Sequence, residues 1–236
     1  MAVAKRKPKS PTLTAERIRE EALRLIDEDG LDAFSTRRLG AALGCEAMAI
    51  YWYYPSKDAL LDAVVEAMVA HLPIEPGGTA DWIDALRRLA HAYRRLAHQH
   101  PNTFPLLATR RFATAGTFRF LEGLFELARS AGLDDRTTAR FYRIVSSYCS
   151  GIALNELAGK KDQDRDDNTN ATRATFPRVS AVWEWLEPPY YDETFEVGLE
   201  LLLEAVARAP RTARSGAPPK APPRVSAKPR RLRKRA

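Results

Sequence analysis

Phe141, Ile144, Val145, Tyr148, Cys149 and Ile152 recur at i, i+3, i+4, i+7, i+8 and i+11, one face of a helix with 3.6 residues per turn. The same spacing governs Ile18, Ala22, Leu25 and Ile26, and a stripe of Leu124, Leu127 and Ala128 stopped by Gly132. No segment alternates apolar and polar residues as a half-buried strand would. The pattern predicts an all-α chain. Its 236 residues, 45% of them hydrophobic, are enough to bury a sizeable core as one large domain or two small ones. No apolar run approaches the roughly 20 residues that cross a bilayer, and the basic N-terminus is followed by no apolar stretch of the secretory kind. Cys45 and Cys149 lie far apart with no CxxC, which predicts reduced thiols in a cytoplasmic protein rather than a disulfide, and spells out no metal site.

Turn and cap signals divide the chain. Residues 1–11 carry Pro8, Pro11 and no apolar period, and read as a disordered basic arm. Residues 12–72 form a first domain. It has one helix over Leu13–Asp29, with Thr14 as N-cap and Gly30 as stop. A second helix runs from Ser35 to Gly44, a third covers 46–53, and a fourth runs from Ser56 to about His71. "LPIEPGGTA" is the linker. Residues 79–208 form a second helical domain, with helices over about 80–99, 103–108, 114–131, 135–158, 176–186 and 191–208, and a polar loop at 160–175. Residues 209–236, rich in Pro and Arg, form a disordered basic tail.

The net charge of +7 is unevenly spread. Lys5, Arg6, Lys7 and Lys9 place +4 on the arm, the stretch from Arg208 onward carries +11, and the body between is −8. Basic blocks of this kind are either solvated tails or bind phosphate without sequence preference. Residues 10–70 are net −5, yet 35–57 hold three bases and one acid, so local charge favours a polyanion only there.

Two short helices about a glycine turn, leaning on a longer first helix, are the helix-turn-helix plan, whose second short helix enters the major groove. The run Tyr51, Trp52, Tyr53, Tyr54 sits there, bounded by Pro55. Ile50 and Tyr54, four apart, can share the core face. Tyr51, Trp52 and Tyr53 can point elsewhere, either to phosphates or against another helix.

Residues 13–61, from "LTAERIREEALRLIDEDGLDAFSTRRLGAALG" to "IYWYYPSKDALL", resemble the DNA-binding domain of the TetR family of bacterial repressors, in its tetracycline-repressor-like branch. The family pattern is an apolar residue, Tyr, a variable residue, His, Phe, a short turn, Lys, an acid and Leu. Here it reads Ile50, Tyr51, Trp52, Tyr53, Tyr54, then Lys57, Asp58 and Leu60; Tyr53 replaces the usual His and Tyr54 the usual Phe. The resemblance implies that Thr36 and Arg37 touch backbone and a base edge, and that Ala47, Met48 and Ala49 face bases. Tyr51, Trp52 and Tyr53 would hold phosphates or sugars, and Lys57 would pair with a phosphate. Arginine can take guanine O6 and N7 together, worth about 1–3 kcal/mol of discrimination, whereas Ala and Met offer only apolar contact. Arg38 is either a second phosphate contact or a solvated charge. The arm could track the minor groove or backbone.

"WIDALRRLAHAYRRLAHQHP", "FLEGLFELARSAGLD" and "GLELLLEAVA" carry the resemblance, more loosely, into the second domain. The resemblance implies a homodimer and an enclosed small-molecule effector pocket. Helix 191–208 has more apolar surface than one stripe, in Phe195, Val197, Leu199, Leu201, Leu202, Leu203 and Val206. With helix 135–158 it suits a four-helix dimer interface, Gly198 letting a neighbouring backbone approach. The alternative is a helix buried wholly in its own chain. For the pocket, Phe104 and Phe118 are among the candidate rings, and Arg110, Tyr148 and Asn155 are candidate polar anchors. Where that branch has a metal-binding His this chain reads "PLLATRR", and Asn155 stands for an acidic metal partner. The expected effector is therefore apolar or aromatic, with no metal and no cofactor. His91 and His98, seven apart on one helix face, have no acidic partner at metal spacing, so they and His71 and His100 read as structural or exposed, and no nucleophile–base pair, phosphate loop or carboxylate pair suggests an enzyme. The expected function is a homodimeric repressor released from a palindromic operator in double-stranded DNA by its effector, with no membrane partner. The alternative is a non-sequence-specific DNA-binding protein driven by the tail.

Overall fold

A computed structural model describes residues 12–74, 82–110, 112–161 and 172–209, and these are helical with no strand among them. The expected basic arm, nearly all of the tail, most of the polar loop and the centre of the linker lie outside the described residues.

Helix α1 spans Ala15–Asp29; the Thr14 hydroxyl accepts the Arg17 amide at 3.2 Å, and Gly30, at φ +82°, ends it. Helix α2 spans Thr36–Leu43 between the Ser35 cap and Gly44, whose left-handed φ of +70° favours glycine. Helix α3 is only Ala47–Tyr51, shorter than the expected 46–53. The Tyr53 and Tyr54 amides both close on the Ile50 carbonyl at 3.0 Å, so the chain tightens into a turn before Pro55 instead of continuing the helix. Helix α4 spans Lys57–Val69, capped by Ser56. Helices α2 and α3 cross closely at Gly40: a Cβ there would lie 2.8 Å from the Cys45 carbonyl oxygen and 3.2 Å from the Ala47 nitrogen.

Helices α5 (Trp82–Gln99), α6 (Phe104–Thr109), α7 (Ala115–Ser130) and α8 (Asp135–Lys161) follow. Helix α9 (Pro177–Trp183) leads through two single-turn 3-10 segments, Glu184–Leu186 and Pro188–Tyr190, into α10 (Tyr191–Ala207). One apolar core runs from Ile18, Ile26, Leu39, Ile50 and Leu60 through to Leu96, Phe104, Leu107, Ala153 and Leu157, so the N-terminal helices share a core with α5, α6 and α8. A second cluster packs Ala90 and Cys149 against Phe195, Leu199 and Leu203 of α10. Gly198 makes room within this intrachain seam: a Cβ there would sit 2.2 Å from the Tyr148 hydroxyl.

Three polar joints tie the helices. Asp27, near the end of α1, meets His100 Nδ1 and the Thr103 hydroxyl at 2.5 Å each, and its carbonyl accepts from Asn102 at 2.8 Å. Glu156 of α8, 1% exposed, is met by Arg94 Nε at 3.0 Å and His98 Nε2 at 2.7 Å; Arg94 continues to Asp192 of α10 at 2.7 Å and lies over the Phe195 ring. Arg110, just past α6, donates from Nε to Asp62 and from Nη2 to the Asp58 carboxylate at 3.0 Å, both on α4.

Candidate nucleic-acid interface and effector cavity

The head separates its faces sharply. Leu39 and Ile50 are buried in the core, while Met48 is 70% and Trp52 88% exposed, at the surface edge of α3. Arg37 is exposed at the start of α2 and Ala47 and Ala49 are half-buried on α3. Tyr51 is exposed and its hydroxyl lies 3.3 Å from that of Thr36, so α2 and α3 share one polar edge. Exposed large aromatics cost solvation unless a partner covers them.

Two expected phosphate contacts, Tyr53 and Lys57, have further duties. The Tyr53 ring is exposed but its hydroxyl donates to the Leu13 carbonyl at 2.8 Å. Tyr54, whose phenol burial pushes above its ordinary pKa, donates to the Ala15 carbonyl at 2.8 Å, and half-buried it joins Ile50 on the inner face as its spacing predicts. Lys57 Nζ donates to the Phe34 carbonyl at 2.9 Å and sits 5.4 Å from that ring's centre. An ammonium has three donors, so two remain for an anion. Arg38 stays exposed but is not free: it bonds Asp29 at 2.6 Å and the Ala33 carbonyl at 3.1 Å.

A cavity of about 640 Å³ lies among α5, α6, α7 and α8, with Val206 of α10 at one wall. Rings from Trp82, Phe112, Phe120, Phe125, Phe141 and Tyr142 line it, with Phe112–Phe120 and Phe125–Tyr142 meeting edge to face. Burial pushes the Tyr93 phenol up to about 12, against its hydrogen bond to Ser150, and does the same to the Cys149 thiol. No Asp, Glu or His lines the cavity among the described residues; Arg110 and Arg143 do. Asp62, first, and Asp58 hold the Arg110 guanidinium above its ordinary pKa, against a smaller opposing effect of burial.

Of the five expected effector residues, Arg110 alone lines this cavity. Phe104 is fully buried in the core, edge-on to Tyr93, because α6 turns its N-terminal end inward. Phe118, 55% exposed, and Asn155, exposed, lie on outward faces of α7 and α8. Tyr148 faces α10, its hydroxyl donating to the Phe195 carbonyl at 2.9 Å. Sequence reasoning missed Arg143, Ser146, Ser147 and Ser150, although "VSSYCS" sets three hydroxyls beside the apolar stripe of α8, a signal that was available. The histidines are engaged elsewhere, His98 and His100 in the polar joints, His71 Nδ1 with the Ala67 carbonyl at 2.8 Å, and His91 edge-on to Phe195.

Residues 18–64 match the family of bacterial regulatory proteins, tetR family, and residues 73–209 match the tetracyclin repressor-like C-terminal domain. The chain belongs to the TetR family. It is 33% identical over 196 residues to the tetracycline repressor protein class A from transposon 1721 of Escherichia coli, covering 79% of this chain and 87% of that one. Among solved structures it resembles a possible TetR family transcriptional regulator from Streptomyces coelicolor A3(2), with a TM-score of 0.70, 31% identity and coverage of 82% and 98%. It also resembles a variant of TetR from Acinetobacter baumannii AYE in complex with minocycline, with a TM-score of 0.64, 26% identity and coverage of 84% and 98%. TetR-family regulators are DNA-binding repressors and not enzymes. This TetR-family chain carries that all-helical fold, helix-turn-helix head and larger helical domain together, and none of its described helices is long and apolar enough to cross a membrane.

Proposed function

We propose that this chain is a homodimeric repressor that grips a palindromic operator with its α2–α3 heads and lets go when a small apolar or aromatic molecule enters the cavity. The single observation that carries the reading is the outward set of Arg37, Met48, Tyr51 and Trp52 on a head whose inner face is closed by Leu39 and Ile50. Arg37 reads a guanine edge, Thr36 and the rings hold the sugar–phosphate rails, and Met48 with Ala47 and Ala49 meets thymine methyls. Lys57 adds a phosphate contact through its two spare donors. Dimerisation is supported by α10: Phe195, Leu199, Leu203 and Val206 are buried within the chain, while Val197 and Leu201 remain exposed, as does Ile144 of α8. Two heads on a two-fold axis match two half-sites about one helical turn apart.

The effector reading is supported by the cavity's size and rings, and by the minocycline held by a relative of the same fold. Its lining, without a carboxylate or imidazole, does not suit a chelated divalent metal. Selection of duplexes from a random pool by the full chain tests the proposal. A two-fold symmetric motif, bound with an affinity that Arg37→Ala lowers, is the expected outcome. A pool with no enriched sequence, and binding that disappears on removal of residues 209–236, would replace it with charge-driven binding by the tail.

A further inference from the structure

We infer that the effector is an aromatic anion whose acidic group takes the Arg110 guanidinium from Asp62 and Asp58, uncoupling α4 from the end of α6. This deepens the proposed function and rests on reading the cavity as the effector site.

Arg110 belongs to two places at once. It lines the cavity, and it is the C-terminal cap of α6 whose Nε and Nη2 reach α4 at Asp62 and Asp58. Its Nη1 has no hydrogen-bond partner among the described residues. Arg143 of α8 is the second cation in the lining. Because no acid among the described residues lines the cavity, and Tyr93 and Cys149 stay uncharged at neutral pH, the charged groups in its lining are both cations. The edge-to-face pairs Phe112–Phe120 and Phe125–Tyr142 suit a flat ring system.

Competition for the guanidinium is physically reasonable. Asp58 is 82% exposed and regains water easily once released. A guest acid inside a ring-lined cavity meets the same guanidinium with less water to screen it, and a planar fork accepts a two-point anion well. The reward for the guest is a pair with Arg110; the consequence for the protein is the loss of the only α4–α6 ion pairs among the described residues. Effector and operator then oppose each other through α4, each weakening the other's binding by the same factor.

The test uses two dyes of one scaffold, 1-anilinonaphthalene-8-sulfonate, an anion, and N-phenyl-1-naphthylamine, its uncharged counterpart, titrated by fluorescence into the full chain. The anion should bind about tenfold or more tightly than the neutral dye, in keeping with a charge-assisted pair. Arg110→Gln should remove that preference and leave the neutral dye within about twofold. Asp62→Asn should tighten the anionic dye several-fold, because it removes a competitor, whereas a merely structural aspartate would only loosen binding. Thermal unfolding of each variant checks that it folds, and Asp62→Asn stands as the test should Arg110→Gln not. Equal affinity for the two dyes in the unaltered chain, or weaker anion binding in Asp62→Asn, overturns the inference and leaves the cavity reading intact. If both dyes still bind when Ser146→Trp fills the cavity, the cavity reading itself falls, and this inference with it.

Discussion

Trp52 keeps most of its indole in water two residues from Ile50, which keeps almost none of its surface there. A side chain so placed contributes little to folding, so its removal separates binding from stability. Trp52→Ala and Arg37→Ala should each lower operator affinity by roughly tenfold, about the value of a good base or phosphate contact, while the unfolding temperature stays within a few degrees. Fluorescence anisotropy paired with calorimetry checks both halves; an unfolding temperature that fell in step with affinity would make these residues packing rather than contact. Cys149 tests the interior. Burial raises its thiol from an ordinary value of 9 to about 12. The neutral thiol is thus favoured on folding; that stabilisation is complete below about pH 9 and is lost as pH climbs toward 12. Native protein at pH 8.5 should therefore be alkylated at Cys45, which is half-buried, long before Cys149, and peptide mapping reads the order. At this scale spacing alone made the inward set of Ile50 and Tyr54 legible, whereas the outward residues were assigned to DNA only through the family resemblance. The second duties of Tyr53 and Lys57 were not, because Leu13 and Phe34 are 40 and 23 residues away and nothing local announces them.

At the scale of elements, caps and periods placed nearly every helix to within a few residues. Ser35, Ser56 and Thr114 cap where a hydroxyl precedes an apolar run, and Gly30 and Gly44 stop where only a positive φ continues the chain. The misses have local causes. Helix α3 ends early because Pro55 forbids another turn, and the expected helix 176–186 breaks at Glu184 into a 3-10 segment beside Pro188 and Pro189. Pocket membership was far less legible, since Phe104 and Phe118 are the same residue type and only the rotation of α6 and α7 decides that one is core and the other surface. Glu156 was not singled out at all; a lone acid in the α8 pattern reads as solvated, yet it is the carboxylate that joins α5 to α8, and through Arg94 to α10. Its removal leaves Arg94 a partly buried charge with one exposed partner. Glu156→Ala should cost about 3–5 kcal/mol in urea unfolding, the usual penalty for breaking a buried pair. A loss under about 1 kcal/mol would mean that water fills the gap and that the joint is dispensable.

For the molecule as a whole, most exposed large apolar side chains among the described residues outside the head lie on α8, on α10 and in and around α9. No residue of α9 is buried, and Phe176, Val182, Trp185 and Leu186 are exposed around it. Apolar side chains gathered on one face mark an interaction surface more often than singly scattered ones do. Leu201, 64% exposed beside Val197, sits in the middle of the α10 share of it. Leu201→Arg should convert a dimer to a monomer in size-exclusion chromatography with light scattering, and operator affinity should fall by orders of magnitude because two linked heads become one. A variant that remained dimeric would move the interface to another face.

Helix α1 is fastened at both ends, by the Tyr53 and Tyr54 hydroxyls near its start and by Asp27 near its finish. It therefore behaves as a lever roughly 22 Å long, at 1.5 Å per residue. A tilt of about 5° at the Asp27 pivot sweeps the far end by about 2 Å, comparable to the tolerance of a hydrogen bond to a base. Amplification of that kind means a guest need disturb its own surroundings very little for the grip on the double helix to slip.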